Sequence, residues 1–407
     1  MDYERFVEQA EAFLMEMERE NYLVGSGRKE QLQIAPIFAR YPELFSRPAV
    51  EARLAEQERA FDSVSARYLA AFAADGYLEQ AVKALSEEIT NRELAATVEW
   101  DEQELPYHQV PIVLAQEPDQ SRRHDLYRRQ LAVTAQQHEM RAERLRRLHQ
   151  EAASLGFESY TVLYETLKGL ELPALAEAMA RLLEETEDVY AERLEDALLA
   201  IGADPGLADV SDLIYCFRAV QFDRYFPADQ MVRSLHRTMA GLGLVRDDDF
   251  GFILDLEPRP KKSPRAFCAP VRVPDEVYLV IKPKGGVDDY DSLLHEAGHA
   301  THYSRIAPDV PWPLRCLGDS DITESYAFLF QHLLHNPRWL RDVLGLPLRT
   351  AEEFRRFALF KKLWFLRRYA AKLHYELKLH SGDPAETCEA YVDTLREALQ
   401  VEIAPEN

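Results

Sequence analysis

The sequence predicts a mainly α-helical protein that carries one small antiparallel β-sheet. Two observations predict the helices: glycine occurs only 16 times in 407 residues, and apolar residues recur at spacings of three and four along most of the chain. A third observation predicts the sheet, because one segment instead mixes β-branched and aromatic residues with prolines. With 47% hydrophobic and 29% charged residues, the composition is that of a folded chain large enough for two or more lobes.

Helix boundaries in the first half of the chain follow from caps and breakers. Asp75-Gly76 is expected to end one helix, and Asp119 is a suitable N-cap for another. Three prolines between residues 104 and 119 indicate a connector. The helices expected by this argument cover residues 2–21, 48–74, 77–100 and 119–156, and a segment from Pro173 to about Ile201.

The segment from Leu244 to Lys284 predicts the sheet. Its residues VRV and VYLVIK flank Pro274-Asp275, which is the pattern of a β-hairpin. Immediately afterwards, Gly285–Asp289 supplies a turn and an acidic N-cap for the next helix. A small sheet is therefore expected directly before that helix.

Charge and cysteine usage exclude several classes of protein. A net charge of -22 and a pI near 5.0 disfavour nucleic acid and anionic membranes as partners. The N-terminal segment is acidic and amphipathic, and no apolar stretch approaches the roughly 18 residues of a membrane span. The four cysteines lack paired spacing, which predicts reduced thiols and a cytoplasmic location. They are Cys216, Cys268, Cys316 and Cys388. Nothing in the sequence indicates an oligomeric state.

The strongest chemical signal lies between Asp291 and Ser304, where His295, Glu296 and His299 form the pattern H-E-x-x-H. On a helix the two histidines lie one turn apart on one face, so their neutral imidazoles can bind one ion. Zinc lowers the pKa of a bound water from about 15.7 to near 7, and a neighbouring carboxylate can accept its proton. The pattern predicts zinc ligands at both histidines and a general base at Glu296. A second His-Glu pair, at His138, lacks the second histidine and is expected to lie on a charged helix.

A catalytic zinc site needs a third protein ligand. The metzincin pattern is excluded, because His302 and Arg305 replace the glycine and histidine that it requires. The next candidate is Glu324, in an amphipathic segment from Asp319 to His335, since a carboxylate among apolar neighbours is costly unless it faces a cation. A glutamate in a first helical turn can instead be solvated and favoured by the helix dipole alone. Given the upstream motif, we favour Glu324 as the third ligand and interpret His302 as a packing or supporting residue.

These residues resemble the oligoendopeptidase F and thimet oligopeptidase family of zinc metallopeptidases, whose third ligand is a glutamate. The resemblance rests on HEAGHATH at 295–302, on the spacing of Glu324, and on the segment from Ser263 to Glu296. It implies a multi-helical, zincin-like fold with one zinc ion per chain, held by His295, His299 and Glu324. It also implies that extended peptides bind along an edge strand by backbone hydrogen bonds.

Two features depart from related enzymes. Phe328 occupies the position where thermolysin-like enzymes have a supporting aspartate, so support for the ligands must come from elsewhere. The family also places oxyanion-stabilising tyrosines and a histidine roughly a hundred residues after the third ligand, beyond Asn407. The resemblance thus implies a truncated C-terminus, and the loss of such donors typically lowers the rate about a hundredfold to a thousandfold. Tyr375 and His380 could substitute, or could be core and boundary residues of a long helix.

The leading hypothesis is a zinc-dependent endopeptidase that cleaves short unfolded peptides. One alternative is a zinc-bearing peptide-binding protein with little or no activity, and another is a carboxypeptidase of a different helical H-E-x-x-H family. We expect an N-terminal helical lobe over residues 1–170. A catalytic lobe is expected over 171–407, with the small sheet inserted at about 244–284.

Overall fold

In a computed structural model of the chain, the structure describes residues 1–60, 63–245, 249–263 and 265–405. The fold is dominated by α-helices, as predicted, and includes two small sheets. No helix in these ranges combines the length and apolar character that a membrane crossing requires.

The helices lie in three stretches of the chain, and the strands fall between them. The helices are α1 (Tyr3–Gly25), α2 (Ala35–Arg40), α3 (Arg47–Arg59), α4 (Val64–Ala95), α5 (Val110–Leu114), α6 (Gln120–Ala135), α7 (His138–Ser154), α8 (Tyr160–Lys168), α9 (Leu172–Glu185), α10 (Glu187–Ala200), α11 (Val210–Phe217), α12 (Met231–Gly241), α13 (Val287–Ser304), α14 (Trp312–Cys316), α15 (Ser320–Gln331), α16 (Pro337–Leu344), α17 (Leu348–Ser381) and α18 (Cys388–Leu399). The strands are β1 (Thr97–Trp100), β2 (Gln103–Pro106), β3 (Ile253–Asp255), β4 (Phe267–Arg272) and β5 (Glu276–Val280). Short 3-10 turns occur at Tyr107–Gln109, Pro205–Leu207, Val220–Tyr225, Ala228–Gln230, His332–His335 and Pro384–Glu386.

Contacts divide the chain into two compact units with discontinuous sequences. The first unit comprises residues 1–77 and 220–358, and the second comprises residues 78–219 and 359–407. The two expected lobes had a single boundary at residue 170, which lies inside the second unit. Two of the three divisions fall within the long helices α4 and α17, and the third falls between Ala219 and Val220.

The sheet of the first unit lies directly before α13, as predicted. Its strand order is β3-β5-β4, with β4 and β5 antiparallel and Arg272 paired with Glu276 across the turn that holds Pro274 and Asp275. The predicted hairpin is confirmed. β3 runs parallel to β5, so the sheet is mixed and not wholly antiparallel. Residues 246–248 and 264 of the predicted segment lie outside the described residues.

Helix α1 covers one face of this sheet. It begins after Asp2, whose carboxylate accepts from the backbone N–H of Arg5 at 2.9 Å. Tyr22 near its end packs with Ala269, Val271 and Val280 to form a small core. The predicted N-terminal helix is therefore present, and its amphipathic pattern reflects this contact with the sheet.

The predicted helix stop at Asp75-Gly76 is wrong, because α4 continues through it to Ala95. A Cβ at Gly76 would lie 2.2 Å from the ring of Phe45. This glycine thus permits close side-chain packing and does not terminate the helix. The predicted helix over residues 48–74 is two helices, α3 and α4, and residues 61 and 62 between them lie outside the described residues.

The predicted helix end at Trp100 is also wrong, because β1 and β2 form an antiparallel hairpin there. Asp101 and Glu102 form its turn with φ values of 50° and 60°. A two-residue turn between antiparallel strands requires positive φ at both of its residues. Glycine or asparagine usually occupies these positions, but here they hold an aspartate and a glutamate. The sequence therefore lacked the usual signal.

Two long predicted helices are each divided. The helix expected over 119–156 is α6 and α7, and the helix expected to reach Ile201 is α9 and α10. In the second case Arg367 donates to the carbonyl of Leu183 at 2.7 Å and to the Thr186 hydroxyl at 2.8 Å. Arg367 thus satisfies one of the carbonyls that the end of α9 leaves without an intrahelical partner.

Candidate metal centre

The start of α13 is fixed by two carboxylates. Asp289 accepts from the backbone N–H groups of Lys284 and Gly285 at 2.6 and 2.9 Å, and Asp223 accepts from that of Val287 at 3.0 Å. The N-cap, Gly286, has a φ of 92°, which favours glycine. The helix that carries the motif therefore begins at a defined place and orientation.

His295 and His299 project from one face of α13, and their Nε2 atoms lie 3.2 Å apart. Each Nδ1 has an oxygen partner on α15: His295 is 3.0 Å from Oε1 of Gln331, and His299 is 2.7 Å from Oγ1 of Thr323. An amide oxygen can only accept, so Nδ1 of His295 carries the proton, and the same tautomer suits His299. In neutral rings both Nε2 lone pairs are then directed at one point.

Glu324 completes a three-residue cluster. Its Oε2 lies 3.5 Å from Nε2 of His295, and its Oε1 lies 3.7 Å from Nε2 of His299. One ligand atom from each residue lies within 4.8 Å of the other two. The Glu324 side chain is 43% exposed, against 22% and 13% for the histidines. The cluster is thus open on the side of the carboxylate.

The donor set fits a divalent ion such as zinc. Two zinc–nitrogen bonds of about 2.05 Å, with nitrogens 3.2 Å apart, would enclose an angle of about 100°, near that of a tetrahedron. Without a cation, one Nε2 can donate a hydrogen bond to the other at this distance, and a bound cation would take the place of that proton. Two imidazoles and one carboxylate also leave a fourth position free, as in catalytic zinc sites.

Close packing of α13 on α15 brings the ligands together. A Cβ at Gly298 would lie 2.4 Å from the carbonyl oxygen of Tyr326 and 2.5 Å from Cα of Ala327. Only glycine lets the two backbones approach to this distance. The glycine within the motif therefore sets the distance between Glu324 and the two histidines.

Glu296 points to the sheet. Its Oε2 accepts from the backbone N–H of Cys268 in β4 at 2.8 Å. Burial raises the pKa of Glu296 to about 7. A proton on the neighbouring His295 and the hydrogen bond from Cys268 would lower this pKa, and the charge of Glu324 raises it further. Burial, together with the neighbouring imidazoles of His295 and His302, lowers the pKa of His299 to about 4. At neutral pH the site thus holds a neutral His299 and a carboxyl poised to exchange a proton.

Of the four residues singled out from sequence, the structure brings His295, His299 and Glu324 together, and it directs Glu296 to the backbone of β4 beside them. Sequence reasoning missed Gln331 and Thr323, which orient the two imidazoles. Gln331 lies seven residues after Glu324, so helical periodicity places it on the same side of α15 but does not pair it with a particular histidine. Phe328 packs against the ring of His295 with centroids 5.5 Å apart, and His302 stacks on Tyr326 at 4.8 Å.

The other histidine candidates have partners inside the second unit. Nε2 of His149 lies 2.9 Å from Nδ1 of His380, and the hydroxyl of Tyr375 lies 3.3 Å from that of Thr387. Burial and the neighbouring His149 lower the pKa of His380 to about 4. Glu139, beside His138, forms an exposed ion pair with Arg146 at 3.1 Å. His149, His380 and Tyr375 are therefore in contact with neighbours within the second unit.

A second group of possible ligands, His124, Asp209 and Asp212, is also in the second unit. Asp212 is fully buried and accepts from Arg123 at 3.0 Å and from His124 at 2.7 Å. A buried guanidinium already neutralises this carboxylate, and its charge would repel a metal ion. The group is therefore an ion-pair network that joins α6 to α11.

The fold of this chain is similar to that of several solved structures. No family model matches the chain, and no curated protein matches it. Solved structures of oligoendopeptidase F and related peptidases do match, over nearly the whole of this chain. With 13–18% identity, these matches show that the chain has the mainly helical fold of those peptidases.

Three of these structures illustrate the likeness. A protein assigned as an oligoendopeptidase F from Bacillus anthracis has a TM-score of 0.60 and 18% identity, covering 94% of this chain and 71% of its own. PZ peptidase A, solved with an inhibitor, has a TM-score of 0.56 and 15% identity, covering 97% and 69%. Metallocarboxypeptidase 1 of Trypanosoma cruzi has a TM-score of 0.54 and 13% identity, covering 98% and 79%.

Proposed function

We propose that this chain is a zinc-dependent metallopeptidase that hydrolyses peptide bonds of short unfolded peptides. His295, His299 and Glu324 would hold one zinc ion, and Glu296 would be the general base. The observation that carries the proposal is the convergence of two Nε2 lone pairs, 3.2 Å apart, beside a carboxylate. The shared fold with oligoendopeptidase F and PZ peptidase A supports it.

Bound zinc would polarise a substrate carbonyl and lower the pKa of water. Glu296 would take a proton from the attacking water and pass it to the leaving amine. A carboxyl whose pKa is raised to about 7 is suited to both transfers near neutral pH. The N–H of Cys268 holds Oε2 of Glu296, so Oε1 would be the atom that accepts the proton.

The peptide would lie along the outer edge of β4. This strand pairs with β5 on one side only, and its Cys268 N–H, which is not used in the sheet, is directed to Glu296. A strand edge beside the general base offers backbone hydrogen bonds to an extended chain. Pro270 has no N–H, so the donors on this edge are limited to a short stretch.

Turnover of internally quenched peptides by the wild-type chain and by Glu296→Gln tests the proposal. We expect the variant to keep one zinc ion per chain and to lose about a hundredfold to ten-thousandfold in rate. Glu139→Gln is the matched control, because it makes the same change in the other His-Glu pair, where the side chain is exposed. This control should cleave at the wild-type rate.

Two other outcomes favour the alternative functions. Zinc retained without turnover in either protein would indicate a zinc-bearing peptide-binding protein. Release of single C-terminal residues, measured by mass spectrometry of the products, would indicate a carboxypeptidase, a possibility that the fold of metallocarboxypeptidase 1 keeps open. Cleavage at internal bonds is the result that we expect.

A further inference from the structure

The aspartate that precedes α15 is bonded to another helix instead of to its own. Asp319 occupies the N-cap position of α15, the helix that carries Glu324. Within the part of the chain that the structure describes, its side chain accepts no hydrogen bond from the first turn of α15. In three other helices an aspartate at this position does accept such a bond from its own first turn; these are Asp2 before α1, Asp119 before α6 and Asp209 before α11.

The carboxylate of Asp319 is held by two consecutive residues of α4. Arg67 donates from Nη2 to Oδ2 at 2.9 Å and from Nη1 to Oδ1 at 3.4 Å. The hydroxyl of Tyr68 donates to Oδ2 at 2.9 Å, and the guanidinium of Arg67 lies 5.0 Å from the centroid of the Tyr68 ring. A forked pair of this kind fixes direction as well as distance. Arg67, Tyr68 and Asp319 together form the α15 anchor.

The α15 anchor starts from a well-packed part of α4. Leu69, two residues after Arg67, is buried, and Phe72 packs edge-on against Trp312 of α14 with ring centroids 6.3 Å apart. The side chains of Arg67 and Asp319 are themselves only 23% and 26% exposed, so solvent screens this ion pair less than a surface pair. All of these residues belong to the first unit. The anchor thus joins the start of α15 to a fixed part of the same unit.

Two contacts then hold α15 at different points along its length. Gly298 of α13 meets the middle of α15 at Tyr326 and Ala327, and the anchor holds its start at Asp319. At a rise of 1.5 Å per residue, these points lie about 12 Å apart, and Glu324 lies between them, about 4.5 Å from the Gly298 contact. A helix held at one point can swing about that point, whereas a second point of contact prevents the swing.

Loss of the anchor would displace a ligand by more than a metal site tolerates. If the start of α15 moved by about 2 Å around the Gly298 contact, Glu324 would move by about 0.7 Å, in proportion to its distance from that contact. Metal–ligand distances tolerate only about 0.2 Å. Thr323, which orients His299, precedes Glu324 on α15 and would move with it. The anchor therefore affects one ligand directly and a second ligand through its hydrogen-bond partner.

We propose that Arg67 and Tyr68 are positioning residues of the metal centre, which act through Asp319. Their contact keeps Glu324 at the place where it faces His295 and His299. The inference rests on the proposed function, because it concerns how firmly the site holds zinc. It assigns a role at the centre to residues that lie more than 200 positions before it in the sequence.

Zinc affinity, measured on the full chain by competition with a chromophoric chelator, tests the anchor. Asp319→Ser removes the contact with α4, because serine is shorter, but leaves a residue that can cap α15. We expect its zinc affinity to fall about tenfold or more. Arg67→Ala should lose a similar factor, and Arg67→Lys, which keeps the charge but not the fork, should lose less. Combining Asp319→Ser with Arg67→Ala should add less than about a twofold loss, because both residues act through one contact.

Asp321→Ser is the matched control, because Asp321 is an exposed aspartate in the first turn of the same helix and its replacement removes the same charge. It should bind zinc within about threefold of the wild-type chain, since solvent screens an exposed charge. An equal loss in Asp321→Ser would show an effect of charge alone. Wild-type affinity in Asp319→Ser would show that the anchor does not position the ligand. Either result would overturn the inference.

Hydrogen exchange of the zinc-free chain separates positioning from a general loss of stability. In Asp319→Ser we expect the amides of α15 to exchange about tenfold faster or more, while those of α12 exchange at the wild-type rate. Equal acceleration in both helices would mean that the whole fold is weakened and that the anchor has no specific effect on α15. Unchanged exchange in α15 would equally contradict the inference.

Failure of the proposed function is distinguishable from failure of this inference. If the wild-type chain binds zinc and cleaves no peptide, but Asp319→Ser binds zinc more weakly, the anchor stands and the peptidase activity does not. If the two proteins cleave peptides with equal kcat/KM and bind zinc equally, the activity stands and the anchor does not. A wild-type chain that binds no zinc would overturn both.

Discussion

The substitution Gly298→Ala tests how the metal centre is assembled, because it changes no proposed ligand. The new methyl group would lie 2.4 Å from the carbonyl oxygen of Tyr326 and 2.5 Å from Cα of Ala327. Both are backbone atoms of α15, so no side-chain rotation relieves the overlap. We expect α13 and α15 to move apart.

The size of this movement follows from the contact distances. Increasing the shortest contact from 2.4 Å to the 3.4 Å of an ordinary contact requires a shift of about 1 Å. Metal–ligand distances tolerate only about 0.2 Å. Glu324 moves with α15 and the two histidines with α13, so the shift would separate the ligands. We expect zinc affinity to fall by at least about a hundredfold and the free energy of unfolding by about 1–3 kcal/mol.

Competition with a chromophoric chelator measures the zinc affinity, and urea denaturation measures the stability. Gly241→Ala is the control, since Gly241 ends α12 and a Cβ there has no atom within 4 Å. It should leave zinc affinity unchanged and stability equal or up to about 1 kcal/mol higher. Wild-type zinc affinity in Gly298→Ala would refute the argument that helix contact positions Glu324.

Three further predictions concern groups around and away from the centre. Gln331→Leu removes the acceptor for Nδ1 of His295 and should weaken zinc binding about 10–100-fold, as measured by the same competition. Asp212→Ala leaves Arg123 buried without its partner and should lower the free energy of unfolding by about 3–5 kcal/mol in urea. His380 has a folded pKa of about 4, below its usual 6.5, so the unfolded chain binds its proton first as the pH falls. Stability should therefore decrease from pH 6.5 towards pH 4, by about 1–2 kcal/mol after allowance for partial exposure.

Each of these predictions has a control. Gln331→Glu keeps an acceptor and should bind zinc at least as tightly as the wild-type chain. His380→Phe keeps an aromatic ring against Tyr160 and should make stability less dependent on acid. If the stability of His380→Phe depends on pH as that of the wild-type chain does, His380 is not the source of the acid sensitivity. Asp209→Ala is the control for Asp212→Ala, because it removes only the N-cap of α11 and should lower the free energy of unfolding by about 0.5–2 kcal/mol. An equal loss of stability in the two variants would argue against a special contribution of the buried pair of Arg123 and Asp212.

The candidate site was more predictable from sequence than the helix boundaries. His295 and His299 lie on one local helix, so their spacing was enough to predict that they converge. Glu324 required a contact between two helices, and an acidic residue in an apolar stretch still identified it. The orienting contact made by Gln331 depends on the relative rotation of α13 and α15, which one sequence does not specify.

The boundary errors have a common physical cause. At Gly76, tertiary packing against Phe45 overrides the local preference of glycine to end a helix. At the break between α9 and α10, the guanidinium of Arg367, far along the chain, binds a carbonyl that the end of α9 leaves free. Long-range contacts of this kind are absent from any local pattern.

X-ray absorption at the zinc edge, with metal analysis of the same sample, tests most directly whether this cluster is a zinc centre. We expect about one zinc ion per chain, with nitrogen and oxygen neighbours at about 2.0–2.2 Å and the signal of two imidazoles. His299→Ala should reduce the imidazole signal and the zinc content. A protein prepared without chelators that contains no zinc, or zinc with sulfur neighbours at about 2.3 Å, would contradict the account.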